Sequence, residues 1–154
     1  MSSEEETFRR LVVELRVLEG TAEALQSRVN LVNAALTELR IASMTLEGLE
    51  KEKKNTPLFV PIGGGSYIKA KLESANKVIV GMGANVAADR TIKEAKENLG
   101  NRIAELEKTR NTLGQQFNQV LEKIQDDRAR LEEITAKLRE GETTKGVRKT
   151  KERT

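Results

Sequence analysis

Two glycine-bearing stretches and a few carboxylates are the places in this 154-residue chain where residue type and spacing approach a recognisable chemistry. Gly63-Gly64-Gly65-Ser66 has the glycine density of a loop that wraps its backbone N–H groups around a phosphate. Such a loop needs a Lys-Ser/Thr pair after it and a helix N-terminus aimed at the anion, whereas the residues from Tyr67 onward alternate like a strand. A hairpin turn fits better. Gly81-Met82-Gly83 places Val86 where a dinucleotide fingerprint needs its third glycine, and no βαβ unit surrounds it. Asp126 and Asp127 point to different faces of a helix, and the runs Glu4 to Glu6 and Glu132-Glu133 read as solvated charge. The chain has no His and no Cys, so the commonest general base, the commonest zinc ligand and any thiolate nucleophile are missing. No catalytic constellation remains: no enzyme, no metal site and no cofactor are expected.

The elements that carry these residues are set by periodicity. In the first segment apolar residues recur at alternating steps of three and four: Phe8, Leu11, Leu15, Leu18, Ala22, Leu25, Val29, Val32, Leu36, Leu39, then Leu46 after a polar Ser43. The last segment repeats the rhythm with Leu99, Ile103, Leu106, Leu113, Phe117, Val120, Ile124, Leu131, Ile134 and Leu138, interrupted by Arg110 and Asp127. A stripe repeating every 3.5 residues buries only against another helix that winds round it. Two stripes of similar length joined by a compact insert predict an antiparallel two-stranded coiled coil. Ser3 with Glu6 and Thr91 with Glu94 are capping-box patterns that start the helices. Lys51, Lys53 and Lys54 suit the negative pole of the first, and Pro57 forces Thr56 out of helical geometry. The expected helices are 3–54 and 91–139. Gly20, Gly48, Gly100 and Gly114 fall off the seam, weakening the helices locally without opening a hole in their contact. Asp127, on the seam, is expected to pair with a basic neighbour and fix register.

Between the helices the period falls to two. Leu58-Phe59-Val60, the glycine turn, and Tyr67 to Leu72 with Ile68, Ala70 and Leu72 alternating against Lys69 and Lys71 make one hairpin with an apolar face. Lys77-Val78-Ile79-Val80, then Gly81-Met82-Gly83-Ala84-Asn85, then Val86-Ala87-Ala88 make a second, so residues 57–88 hold two hairpins. Isolated hairpins are marginal in water and their open edges invite further strands. These strands are therefore expected to complete a sheet or barrel supplied by other subunits, through Val60, Ile62, Tyr67, Ile68, Ala70, Leu72, Val78, Ile79, Val80, Met82 and Val86.

Composition agrees with an exposed, extended molecule: 37% of residues are hydrophobic and 33% charged. The acidic N-terminus lacks the pattern of a signal peptide and no run of about 18 apolar residues occurs, so a soluble cytoplasmic protein without membrane contact is expected. The net charge of +3 is uneven, since Lys145 to Thr154 carries five basic side chains against one acidic. Residues 140–154 are expected to be a disordered basic tail beyond a single domain spanning 1–138.

The order heptad helix, Val60-Pro61-Ile62-Gly63-Gly64-Gly65-Ser66-Tyr67-Ile68-Lys69, strand Val78-Ile79-Val80-Gly81-Met82-Gly83, Asn85-Val86-Ala87, heptad helix resembles the α-type subunit of archaeal prefoldin. The likeness covers about residues 8 to 138, its specific part is the hairpin stretch, and two hairpins are the α-type pattern where β-type subunits carry one. Gly63-Gly64-Gly65 stands where the family often has Gly-Ala-Gly, which leaves the turn's capacity for positive φ intact. The resemblance implies an α+β fold whose hairpins join an oligomeric β-barrel of two α with four β-type prefoldin subunits, a hexamer. It further implies an ATP-independent chaperone that holds unfolded polypeptides at its coiled-coil tips and passes them to a group II chaperonin.

A binder of unfolded chains needs mobile apolar surface rather than a shaped pocket, and the ends of paired helices provide it. Phe8, Leu11, Leu15, Leu131, Ile134 and Leu138 are the seam residues with least cover beyond them, serving as seam, as unfolded-protein-binding residues, or as both. Two rival functions stand beside this one. The basic tail offers phosphate contacts for nucleic acid, against which weigh its lack of an aromatic residue for stacking and the near-neutral body. A structural coiled-coil scaffold explains the helices but gives the hairpins no purpose.

Overall fold

The computed structural model describes residues 2–151. Helix α1 spans Ser3–Glu50, strands β1 Pro57–Gly63, β2 Ser66–Lys71, β3 Lys77–Gly83 and β4 Val86–Thr91 follow, and helix α2 spans Ile92–Lys151. Two long helices thus flank two antiparallel hairpins, β1–β2 and β3–β4, each a separate two-stranded sheet. Among the described residues no barrel closes. The expected α+β class, helical hairpin with a β-insert, is what the chain adopts.

The chain divides into two compact units, Met1–Leu31 with Arg110–Thr154 and Val32–Thr109. In the first, the N-terminal part of α1 packs on the C-terminal part of α2: Leu15, Ala22 and Ile124 form a buried cluster, with Leu18, Phe117, Val120 and Leu131 packed against it. Lys123 bridges to Glu14 at 3.3 Å and Arg128 to Glu19 at 2.8 Å across the two segments. In the second, Arg40 meets Glu107 at 2.6 Å and Glu50 meets Lys96 at 3.0 Å, so within this unit the partner number falls as the α1 number rises and the two helical segments run antiparallel. All four pairs are substantially exposed and each contributes little; burial of the seam holds the helices. Every seam residue from Phe8 to Leu46 and from Leu99 to Leu138 is buried or half-buried, the polar Ser43, Arg110 and Asp127 included. A Cβ placed on Gly20, Gly48, Gly100 or Gly114 would meet nothing within 4 Å, in agreement with their places off the seam.

Several boundaries differ from expectation. The capping box of α1 is formed by Ser2 and Glu5, one residue earlier than Ser3 and Glu6: the Glu5 N–H donates to Ser2 Oγ and the Ser2 N–H to Glu5 Oε2. That of α2 is the expected one, with the Glu94 N–H on Thr91 Oγ1 and the Thr91 N–H on Glu94 Oε2. Helix α1 stops at Glu50 rather than Lys54, because the Glu52 N–H turns back to the Leu49 carbonyl and Asn55 takes φ 69°. The chain then enters the ladder through the Asn55 N–H on the Leu72 carbonyl and the Leu72 N–H on Thr56. The second hairpin runs on to Thr91, three residues past Ala88.

The larger difference lies at the other end. Residues 140–151, expected to be disordered, continue α2 as helix. The hydroxyls of Thr143 and Thr144 return to the carbonyls of Arg139, Glu140 and Gly141 three or four residues back, so these side chains follow the helical ladder instead of competing with it. Residues 152–154 of the expected tail lie outside the described residues.

Candidate functional site

Two surfaces carry the residues singled out from the sequence. The first is the pair of hairpins. In β1–β2 the register sets Leu58 against Ala70 and Val60 against Ile68, so these four share one face. The opposite face carries Phe59 and Tyr67, diagonal neighbours whose rings meet edge to face at 6.4 Å and 74°. This aromatic pair makes the second face apolar near the turn and basic toward Lys69 and Lys71, a departure from a hairpin with one apolar face. Phe59 is a surface residue that periodicity missed; its register with Tyr67, two positions diagonal across the turn, was the signal.

Both turns are two-residue loops with left-handed central residues, Gly64 and Gly65 at φ 59° and 73°, and Ala84 and Asn85 at φ 50° and 61°. In β3–β4 Val78 lies opposite Arg90 and Val80 opposite Ala88. Val78 and Val80 are half-buried and line an apolar groove of about 310 Å³ with Ala42, Leu46, Ala95 and Leu99. Of the eleven expected assembly residues, Val60, Ile62, Tyr67, Ile68, Ile79, Met82 and Val86 are exposed, and Ala70, Leu72, Val78 and Val80 half-buried. So much exposed aliphatic and aromatic surface on short, open-edged strands is the pattern of a surface that meets another protein.

The second surface is built by the first unit. Phe8, Leu131, Ile134 and Leu138 are half-buried, but Leu11 is only 1% exposed and Leu15 7%. The six expected contact residues therefore differ: four are reachable as they stand and two are closed inside the seam. Outside the seam, Val13 and Val17 stand 62% and 63% exposed, one turn apart on the outer face of α1. Sequence reading passed over them because it followed one stripe per helix, although the step of four between them was legible.

At the centre of this unit Asp127 is fully buried. Lys123, one turn earlier on the same helix, donates to Asp127 Oδ1 at 3.0 Å and also bridges Glu14. The hydrogen bond to Asp127, then that to Glu14, raises the Lys123 ammonium above the usual lysine range. Asp127 Oδ2 is buried and has no hydrogen-bond partner among the described residues. Asp126, beside it in sequence, is exposed, as two adjacent residues on different helix faces should be.

A two-helix hairpin with two β-hairpins at its turn can be tested against known proteins, and the model of the prefoldin subunit family matches residues 18–141. The chain belongs to the prefoldin family. Its prefoldin relatives include the prefoldin subunit alpha of Methanobrevibacter smithii, 29% identical over 86% of this chain and 90% of the relative. That of Methanosarcina barkeri is 36% identical over 68% and 74%, and that of Pyrococcus horikoshii 34% identical over 68% and 72%. Among solved structures, a chain from the cryo-EM structure of filamentous PFD of Methanocaldococcus jannaschii superposes with a TM-score of 0.65 at 26% identity, covering 79% of this chain and 98% of that one. The α-type assignment, read from two hairpins in place of one, stands with these relatives, and the prefoldin fold is a chaperone-type subunit. Among the described residues no helix is long and apolar enough to cross a membrane.

Proposed function

We propose that this subunit is an ATP-independent holdase that assembles through its hairpins, captures unfolded polypeptides at the ends of its coiled coil, and passes them to a group II chaperonin in the cytoplasm. The hairpins supply the assembly surface: their exposed aliphatic residues and open edges are completed by β-type prefoldin subunits, two α with four β. Phe8, Leu11, Leu15, Leu131, Ile134 and Leu138 supply the capture surface.

The observation that carries this reading is that Phe8, Leu131, Ile134 and Leu138, the outermost apolar residues of the seam in the first unit, are only half-buried. These side chains have apolar surface left to bury, each contributing about 1 kcal/mol or less when a bound chain covers the part still exposed. No shaped cavity is needed, which suits ligands without a fixed structure.

The test follows the aggregation of a denatured protein by light scattering, without nucleotide, in the presence of the assembled complex. Replacing Phe8 and Leu11, or Ile134 and Leu138, together by Ser is expected to weaken protection while the complex stays assembled. Deleting residues 141–154 is expected to matter less, since Val147 is their only large apolar side chain. Protection should change little as salt is raised, because apolar burial is not screened whereas phosphate contacts are. Unchanged protection by both tip variants, or its loss on tail deletion alone, would overturn the proposal.

A further inference from the structure

Two of the residues assigned to capture present a physical difficulty: Leu11 and Leu15 are closed inside the seam, so a bound chain reaches them only if the helices part. The cost of parting is set by what the seam buries in this unit. Leu15, Ala22 and Ile124 favour closure, and so do Leu18, Phe117, Val120 and Leu131 packed on them. Asp127, on the same stripe between Ile124 and Leu131, opposes it. Its carboxylate is removed from water completely, yet Lys123 satisfies only Oδ1, and that ammonium is shared with Glu14. One cation thus serves two carboxylates, and Oδ2 is left without a partner among the described residues. A buried anion that is half-satisfied loses free energy on closure and regains it on hydration.

We propose that Asp127 is a positioning residue for capture: by making the closed seam incompletely satisfied it keeps this end of the coiled coil openable, and opening delivers Leu11 and Leu15 to the unfolded chain. The inference rests on the capture surface proposed above. It differs from the ordinary role of a polar seam residue, which fixes register and acts only on the closed state. Asn in place of Asp127 keeps a polar group at the seam without the charge, while Leu fills the position with apolar volume and removes the reason to open.

The experiment uses the full chain in its complex and compares wild type, D127L and D127N by backbone hydrogen exchange across residues 8–25 and 113–134, together with protection against aggregation. D127L is expected to slow exchange in both segments about tenfold or more and to raise the amount of complex needed for half-protection several-fold. D127N should fall between wild type and D127L in both measurements. A role in register alone predicts a different result, with loss of regular packing and faster exchange in D127L. Slower exchange with undiminished protection would overturn the inference, as would exchange unchanged by D127L. If D127L assembles poorly, D127N alone decides: exchange and protection both equal to wild type would refute the role of the charge.

The pair V13S/V17S tests the outer face in parallel. Loss of protection in that pair with none in D127L would place capture on residues already exposed and refute the need for opening. Failure of the capture reading itself is separable, because it appears as unchanged protection in the Phe8/Leu11 and Ile134/Leu138 serine variants whatever D127L does.

Discussion

Placing a charge on the apolar face of the first hairpin separates assembly from folding, and Ile68 is the position that does so most cleanly. Ile68 is 54% exposed in the single chain, opposite Val60. I68D therefore forfeits little within the subunit, because about half of the side chain already stands in solvent. In an assembly that covers this face, the remaining half of the side chain has about 1 kcal/mol of burial still to contribute. An aspartate there must also be desolvated without a partner, at a cost of several kcal/mol. Together these weaken association by at least about 3 kcal/mol, more than a hundredfold in Kd. V78D is a poorer probe, because Val78 is already half-buried beside the coil residues Ala42, Leu46, Ala95 and Leu99 and its loss disturbs the subunit too. The assay is analytical ultracentrifugation of I68D mixed with a β-type prefoldin subunit, with helical circular dichroism on the same samples. The expected outcome is unchanged helicity with loss of the large species. Assembly at wild-type concentrations would show that this face is not an interface and would remove the hairpins from the proposed mechanism.

Two further outcomes test local chemistry. G63A should destabilise the first hairpin by about 1 to 2 kcal/mol, read as faster exchange of the β1–β2 amides. Gly63 sits at φ 101° and the added methyl meets nothing within 4 Å, so the cost is one of backbone conformation alone. Lys123, with its pKa raised by Asp127 and Glu14, contributes stability that is fully present below the ordinary lysine pKa and is lost as pH rises through the higher folded value. The difference in thermal stability between wild type and K123Q should accordingly be flat from neutral pH to about 10 and shrink above it; a difference that shrinks on acidification instead would show that the carboxylates, not the ammonium, control the contact.

Much of this architecture is legible in the chain because its two periods are physically distinct. A stripe every 3.5 residues admits only a helical partner, and Phe8 to Leu46 and Leu99 to Leu138 are buried or half-buried as that rule requires. Alternation around Ile68 and Ala70, with glycines able to take positive φ between, admits only a hairpin. Boundaries were less legible, because they depend on single hydrogen bonds: the turn of Glu52 onto Leu49 ends α1 where lysine composition would have carried it further. The helical course of residues 140–151 was hidden by their glycines and charges, which weaken a helix without forbidding it. For the capture surface, position along the stripe was readable but depth was not. Phe8 and Leu11 look equivalent in the pattern, and only packing shows that one is half-open and the other closed.

Both strands of this coiled coil belong to one polypeptide, and that connectivity has a thermodynamic consequence. Closure of the seam is unimolecular, so its equilibrium does not depend on protein concentration, whereas any contact made by the hairpins obeys mass action. Dilution should therefore take a complex apart into subunits whose helices remain paired, ready to rejoin without refolding. If the hairpins are the interface, as proposed, subunits of such a particle are exchangeable parts: one leaves and another enters at a rate set by hairpin dissociation, while seam residues such as Leu36 and Leu39, buried within the single chain, need not be exposed.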